Sequence, residues 1–176
     1  MKLKPQDILV VLKLVVQGKR CDTFAEMGRA LGMSASETNA AFHRARKAGL
    51  INPMDDLPVK SAVAEFLLHG LKYVLPVQPG RRTRGIPTGY AAPPLVNSFG
   101  VSEGDPDVPV WPDPDGIVAG LEIHPICRSA PLAAKQDRDL YEWLVLVDTL
   151  RGAGRAREKK LAESIVRERL GYHAHG

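Results

Sequence analysis

The spacing of apolar residues along the chain predicts a mostly helical fold with a small β-sheet. In six segments the apolar side chains recur at steps of three and four residues, which places them on one face of a helix. The predicted helices span residues 4–16, 24–31, 34–47, 58–71, 133–150 and 155–170. Two other apolar runs, 72–77 and 117–125, predict β-strands that pair with each other.

Residues 23–51 predict two helices joined by a tight turn. Gly32 follows the first helix, where the chain favours a residue that tolerates a positive φ. Ser34 opens the second helix with Glu37 three residues later, which is the capping-box pattern. The second helix has one face to bury, formed by Thr38, Phe42, Ala45 and Ala41.

The opposite face of this second helix is polar and basic. A recognition helix needs such a face to reach base edges and phosphates in a major groove. The residues expected to approach bases are Ser36, Asn39, His43 and Arg46. Those expected to hold phosphates are Ser34, Arg44 and Lys47. The alternative is a helical hairpin that serves only the core, since such pairs also occur in proteins that bind other proteins.

The same residues carry a resemblance to a known family. Gly28, Gly32 and Thr38 fall at the small, glycine and buried positions of the helix-turn-helix pattern. The continuation RKAGLI, residues 46–51, resembles the end of that unit in winged-helix, MarR-like bacterial regulators. The resemblance covers roughly the first 55 to 75 residues and implies binding to double-stranded DNA. Where the family has a β-hairpin wing, this chain has Asn-Pro-Met-Asp-Asp and then a helical pattern.

Charge is distributed unevenly along the chain. Residues 1–50 hold nine Lys and Arg against four Asp and Glu, whereas residues 101–127 hold six acids and no Lys or Arg. The basic part contains the predicted helix pair, as a polyanionic partner requires. DNA would repel the acidic stretch, which we expect to point away from it.

Residues 76–115 contain nine of the fourteen prolines, so they predict an extended loop. Within this loop Arg81, Arg82 and Arg84 form a basic cluster between two glycines. The three arginines either follow a DNA backbone or enter a minor groove, or they meet the acidic stretch 103–115 of the same chain. The sequence does not decide between these alternatives.

We expect three parts: a DNA-binding domain at 1–75, a Pro/Gly-rich segment with short strands at 76–127, and C-terminal helices at 128–176. The helix over 133–150 is apolar around most of its girth, which requires burial on more than one side. That burial either forms a dimer interface, because two half-sites need two readers, or covers the domain's own core. Dimerisation is the favoured expectation.

No catalytic chemistry is visible in the sequence. Motifs for a nucleophile or a phosphate-binding loop are missing, so we expect neither an enzyme nor a cofactor. His124 and Cys127 offer two metal ligands where structural zinc needs four, so we expect no metal site. With no apolar run near 20 residues and only two cysteines, we expect a cytoplasmic protein with reduced thiols and no membrane contact.

The sequence therefore predicts a dimeric, sequence-specific transcriptional regulator, for example a repressor. The alternative is a protein-binding module that contacts a partner through residues 86–116, as an autorepressing antitoxin would. A third possibility is a small-molecule sensor with a pocket lined by Tyr90, Trp111 and Trp143.

Overall fold

Helices make up most of the chain, and three short strands form a small mixed sheet. The computed structural model describes residues 2–20 and 23–173. The α-helices are α1 (Pro5–Gln17), α2 (Phe24–Leu31), α3 (Ala35–Lys47), α4 (Lys60–Glu65), α5 (Leu71–Val74), α6 (Val96–Phe99), α7 (Ala130–Gln136), α8 (Arg138–Asp148) and α9 (Ala156–Leu170). The strands are β1 (Arg82–Pro87), β2 (Pro109–Pro112) and β3 (Val118–Glu122). Among the described helices, none combines the length and apolarity needed to span a bilayer.

The first three helices confirm the sequence prediction closely. α1 begins at Pro5, whose fixed φ suits a first helical position, and ends at Gly18 with φ +65°. α2 ends at Gly32 with φ +69°, and α3 begins after the cap at Ser34. Both α1 and α2 pack against α3, so α3 is held along one whole side.

The fourth predicted helix is longer than expected and removes a predicted strand. α4 continues through a π-helical turn at Phe66–Gly70 into α5, which ends at Val74. The prediction of a strand over 72–77 is therefore wrong. The apolar run that suggested a strand is a helix end, where Leu71 is buried while Tyr73 and Val74 face solvent.

The small sheet forms instead within the proline-rich segment. β1 pairs antiparallel with both β2 and β3, and β2 runs parallel to β3, so the three strands close on one another. Close approach at Gly85 allows this, because a Cβ there would lie 1.7 Å from the carbonyl oxygen of Trp111. The strand predicted over 117–125 is confirmed in β3, but its predicted partner is wrong. Within the basic cluster that the sequence placed in an extended loop, Arg82 and Arg84 lie on β1 and Arg81 directly precedes it.

The predicted helix over 133–150 is broken in two at Asp137. Asp137 has an extended backbone and caps α8, its carboxylate accepting from the amide of Leu140 at 3.2 Å. The same carboxylate forms an ion pair with Lys13 on α1 at 2.7 Å. This ion pair fixes α8 against α1.

The last predicted helix, over residues 155–170, is confirmed as α9.

One hydrophobic core runs through all three predicted parts of the chain. Every residue from Trp143 to Leu150 is buried within the subunit. Because α8 packs against α1 and α7, its apolar girth covers the protein's own core. This favours the second of the two explanations for its hydrophobicity.

A buried polar network around Asp148 joins the proline-rich segment to the helices. Asp148 is 1% exposed, and its carboxylate accepts from Thr88 Oγ1 at 2.7 Å, Trp111 Nε1 at 2.7 Å and Arg151 Nε at 3.0 Å. Arg151 also donates to the carbonyl oxygens of Leu75 and His124. Burial raises the pKa of Asp148, while the charge of Arg151 and the donors oppose that rise.

Replacing Asp148 tests whether this network holds the proline-rich segment against the helices. Asp148→Asn keeps the shape but leaves Arg151 buried without a counter-charge, so we expect a loss of about 3–5 kcal/mol in the free energy of unfolding. Asp139→Asn is the control, because Asp139 is exposed at the start of α8 and its loss should change stability by less than about 0.5 kcal/mol. Urea unfolding measures both. Equal stabilities for the two variants would contradict this role.

The link between α1 and α8 should depend on pH. Burial alone would raise the pKa of Asp137, but the hydrogen bond and charge of Lys13 and the amide of Leu140 lower it overall. A carboxyl with a lowered folded pKa adds stability above its unfolded value, about 3.9, and loses it as pH falls through the folded pKa. We expect Asp137→Asn to be less stable than wild type at pH 7, with the difference closing below about pH 4. A constant difference across that range, measured by urea unfolding, would contradict the ion pair.

Candidate nucleic-acid interface

The turn between α2 and α3 is built around a close backbone approach at Gly28. The amide of Met33 donates to the carbonyl oxygen of Gly28 at 2.8 Å. A Cβ on Gly28 would lie 2.5 Å from the carbonyl oxygen of Met33 and 3.0 Å from Thr38 Oγ1. Only glycine fits without displacing the turn. This gives a physical reason for the glycine that the sequence pattern singled out.

The N-terminus of α3 is fixed by the predicted capping box. The hydroxyl of Ser34 accepts from the amide of Glu37 at 3.1 Å, and the carboxylate of Glu37 accepts from the amide of Ser34 at 2.9 Å. The hydrogen bond that the Glu37 carboxylate accepts from the Ser34 amide lowers the pKa of Glu37, and the nearby Ser34 side chain lowers it further. Thr38 adds a hydrogen bond from its hydroxyl to the Ser34 carbonyl at 2.8 Å. Ser34 is exposed but already serves as a cap.

α3 separates its buried and exposed faces cleanly. The buried residues are Thr38, Ala41, Phe42 and Ala45, as the sequence predicts. The exposed polar residues include Glu37, which belongs to the capping box, and a stripe along the helix formed by Ser36, Asn39, His43 and Lys47. His43 is oriented by its neighbours, since its ring stands edge-on to Phe42 at a centroid distance of 5.5 Å. The stripe is therefore presented on a firmly packed helix.

Arg44 does not belong to this exposed stripe. Its guanidinium makes a bidentate pair with the carboxylate of Asp7 on α1, with Nε–Oδ2 at 2.9 Å and Nη2–Oδ1 at 2.8 Å. The Arg44 side chain is 13% exposed and that of Asp7 is fully buried. The pair raises the pKa of Arg44. The prediction that Arg44 holds a phosphate is therefore corrected: Arg44 fastens α3 to α1.

Arg46 is only partly available, because it is held by the loop that follows α3. This loop, residues 52–57, reverses the chain and is closed by a single antiparallel bridge between Ile51 and Pro58. Arg46 Nη2 donates to the carbonyl oxygen of Pro53 at 3.0 Å, and Arg46 Nη1 lies 3.6 Å from Asp56 Oδ1. The expected contact of Arg46 with a base would require it to leave these partners.

The basic cluster of the proline-rich segment lies at the start of strand β1 in the small sheet. Arg81, Arg82 and Arg84 are all exposed. Arg82 donates to the carbonyl oxygen of Pro106 at 2.9 Å and lies 3.9 Å from the carboxylate of Asp107. For Arg82 the intramolecular alternative is therefore realised, since it meets the acidic stretch of its own chain.

The apolar part of the proline-rich segment is folded against the protein itself. Thr88, Ala92 and Leu95 are buried, and the rest of residues 86–95 except the buried Gly89 is partly exposed, so part of this stretch packs on the protein's own core. Trp111 and Trp143 are buried in the core and do not line an open ligand pocket with Tyr90. The hydroxyl of Tyr90 donates to Asp105 at 2.9 Å.

Metal-binding geometry is not found in the described ranges 2–20 and 23–173. No group of three or more His, Cys, Asp or Glu side chains lies there in a position to hold an ion. His124 Nε2 lies 3.4 Å from Glu122, whereas Cys127 is half-buried beside Ser129 at 3.6 Å. Burial raises the pKa of the Cys127 thiol. Cys21 lies outside the described residues.

Arg20 and Asp56 lie beside α3 and were not predicted from the sequence as parts of the site. Arg20 Nη2 donates to Asp56 Oδ2 at 3.0 Å, so Arg20 and Arg46 share one carboxylate. Arg20 precedes α2 in a short loop, and nothing in its local sequence indicates that it lies near α3. Their proximity depends on the path of loop 52–57.

Comparisons with protein-family models, with curated protein sequences and with solved structures gave no match.

Removal of Arg44 tests its structural assignment. Arg44→Met leaves the Asp7 carboxylate buried without its counter-charge, so we expect a loss of about 3–5 kcal/mol in the free energy of unfolding. Lys47→Met, a change of the same type on the exposed face, should cost less than about 0.5 kcal/mol. Equal losses in urea unfolding would show that the Arg44–Asp7 pair does not hold α3 in place.

Proposed function

We propose that this protein is a DNA-binding transcriptional regulator that reads double-stranded DNA with the exposed face of α3. The observation that carries the proposal is the stripe Ser36–Asn39–His43–Lys47. Its four side chains are exposed and carry no hydrogen bond or ion pair to other described residues. They project from a helix that is capped, buried on its opposite face and anchored by Arg44. A binding surface on such a support needs little reorganisation when a ligand arrives.

The chemistry of the stripe suits a major groove. The groove admits one α-helix, and an Asn side chain pairs with the N6 and N7 edge of adenine through two hydrogen bonds. Asn39 is the best-placed residue for such a contact, with Ser36 and His43 on either side of it along the helix. Lys47, in the last turn of α3, is suited to a phosphate as a point charge.

The resemblance to MarR-like regulators supports the same function. In a winged helix-turn-helix, α2 would support α3 as the recognition helix and a hairpin wing would follow. Loop 52–57 occupies that position here, but it is a short turn with a single β-bridge. Any wing in this protein is therefore much reduced. Its exposed Met54 and Asp55 form the tip.

Dimer formation is part of the proposal, because symmetric operators have two half-sites that need two recognition helices. The apolar residues of α8 are already buried within the subunit and cannot supply a large dimer interface. Tyr73 and Val74 at the end of α5 are 76% and 48% exposed. These neighbouring side chains make that helix end the better candidate for contact between subunits.

A second candidate function, binding of a partner protein, is favoured by one surface feature. Ile117 is 88% exposed and Val101 is 41% exposed, and both line a groove with Arg82 and Arg84. Glu103 and Asp105 line the same groove, so an apolar floor with walls of both charges fits a partly apolar protein segment of mixed charge. An autorepressing antitoxin would combine this groove with a DNA-binding α3. Recovery of no stoichiometric partner on affinity purification from its native cells would count against this candidate.

Two substitutions on α3 separate base contacts from phosphate contacts. Asn39→Ala should relax base preference at one or two operator positions, each by about 1–3 kcal/mol. Lys47→Ala should weaken binding to all sequences alike and flatten the salt dependence by about one unit. Fluorescence anisotropy with a selected operator and with random duplexes measures both effects.

Lys160→Ala on α9 is the matched control for Lys47→Ala. Lys160 is also exposed, so its loss changes net charge equally but should leave the salt dependence as in wild type. If neither Asn39→Ala nor Lys47→Ala changes affinity, base preference or salt dependence, α3 is not the DNA-binding surface.

A further inference from the structure

Arg20 and Arg46 converge on the carboxylate of Asp56 at the side of α3. Arg20 Nη2 lies 3.0 Å from Asp56 Oδ2, and Arg46 Nη1 lies 3.6 Å from Asp56 Oδ1. The Arg20 side chain is 70% exposed and that of Arg46 is 36% exposed. Arg20, which precedes α2, and Arg46, on α3, thus share the carboxylate of Asp56 near the surface.

The carboxylate of Asp56 satisfies only part of the hydrogen-bonding capacity of the two guanidinium groups. Its Oδ1 atom is buried and has no hydrogen-bond partner within the described chain. The residue has φ +59°, a left-handed conformation that Asp and Asn adopt more readily than other non-glycine residues. The side chains of Asn52 and Asp55 support this conformation by accepting from the amides of Met54 and Leu57. The loop therefore delivers a carboxylate to the arginines without matching their donors fully.

The three residues stand at a shallow pocket that opens beside the exposed stripe of α3. The pocket has a volume of about 270 Å³, and its other lining residues are Thr23, Phe24, Phe42 and His43. His43 belongs both to this pocket and to the stripe. A DNA strand that follows the edge of a groove occupied by α3 would pass this pocket.

We infer that Arg20 and Arg46 form a two-arginine clamp for one phosphate group of the DNA backbone, and that Asp56 occupies the clamp in the free protein. The inference rests on the proposed function. Guanidinium groups bind phosphate oxygens through paired, charge-assisted hydrogen bonds, which the single carboxylate only partly supplies. When DNA arrives, its phosphate replaces Asp56 on the two arginines.

The clamp changes the roles of two residues. Arg46 holds a phosphate rather than a base edge, and Arg20 becomes part of the DNA-binding surface. Asp56 becomes an internal competitor that lowers affinity for every duplex alike, so that base contacts from α3 contribute a larger share of the binding. It also explains an acidic residue at a surface that faces a polyanion, where an unpaired carboxylate would be repelled.

A double-mutant cycle with salt titration tests the clamp. The proteins are wild type, Arg20→Gln, Asp56→Asn and the double variant, and the probe is a random-sequence duplex. Arg20→Gln should weaken binding and lower the salt dependence by about one unit. Asp56→Asn, which keeps a side chain suited to the left-handed conformation, should tighten binding about two- to fivefold. That gain should shrink in the Arg20→Gln background, where Arg46 is the one clamp arginine left beside Asp56.

Asp55→Asn is the matched control, because it removes the same charge from the same loop at a residue with no ion pair among those described, and the Asn side-chain oxygen can still accept from the Leu57 amide. Its effect on affinity should be the same whether residue 20 is Arg or Gln. Thermal unfolding of each variant checks that the fold is retained.

The outcomes separate the clamp from the proposed function. If Lys47→Ala weakens binding but Arg20→Gln does not, or if Asp56→Asn shows the same gain in both backgrounds, the clamp is wrong and α3 still binds DNA. If wild type binds no duplex at low salt, the proposed function and the clamp both fail.

Substitution of potassium phosphate for potassium chloride at equal ionic strength identifies the source of the phosphate group. Inorganic phosphate carries the same oxygens as the DNA backbone, so we expect it to compete with the duplex more strongly on wild type than on Arg20→Gln. If phosphate acts more strongly on wild type while Arg20→Gln binds the duplex as tightly as wild type does in chloride, the clamp holds free phosphate and the DNA backbone is overturned as its ligand.

Discussion

The buried carboxylate of Asp148 is the constraint on which the arrangement of the chain depends. A charge that is 1% exposed persists in a protein interior only where donors surround it. Here the donors come from Thr88, Trp111 and Arg151, and Arg151 in turn donates to Leu75 and His124. The end of α5, strand β2 and α8 must therefore all meet at the Asp148–Arg151 pair. This requirement orders a proline-rich segment that has little regular structure of its own.

Two further ion pairs connect the core to the exposed face of α3. Asp137 pairs with Lys13 and holds α8 against α1, and Asp7 pairs with Arg44 and holds α1 against α3. Each pair joins elements that are distant in sequence, and the second is bidentate and nearly excluded from solvent. The exposed stripe of α3 is thus the outer surface of an element fixed through α1 to the rest of the fold. Rigid support of this kind lowers the entropic cost of binding and favours discrimination between similar DNA sequences.

Local signals predicted the N-terminal helices well because their ends are set by neighbouring residues. Pro5, Gly32 and the Ser34–Glu37 capping box act within one turn, and the structure places each as the sequence indicated. The same holds for the buried face of α3. The strand predicted over 72–77 failed because the helix that precedes it continues through a π-helical turn. Its β-favouring residues did not outweigh that continuation.

The remaining differences arise from contacts between distant residues. Asp137 interrupts a predicted helix with an extended backbone and pairs there with Lys13, and a periodic apolar pattern contains no sign of that pair. Arg44 looked like a surface residue at the edge of a basic face, but Asp7 buries it. Arg20 reaches Arg46 only through Asp56. In each case the deciding partner lies more than 30 residues away, so that helical spacing alone does not reveal it.

Backbone amide chemical shifts, recorded as duplex DNA is added, test most directly whether the exposed face of α3 binds DNA. We expect the largest changes to cluster at Ser36, Asn39, His43 and Lys47, with smaller changes in loop 52–57. Residues 100–107, in the acidic loop beside the sheet, should remain unchanged. Changes confined to β1 around Arg81, Arg82 and Arg84, with none on α3, would contradict the account and place DNA on the sheet.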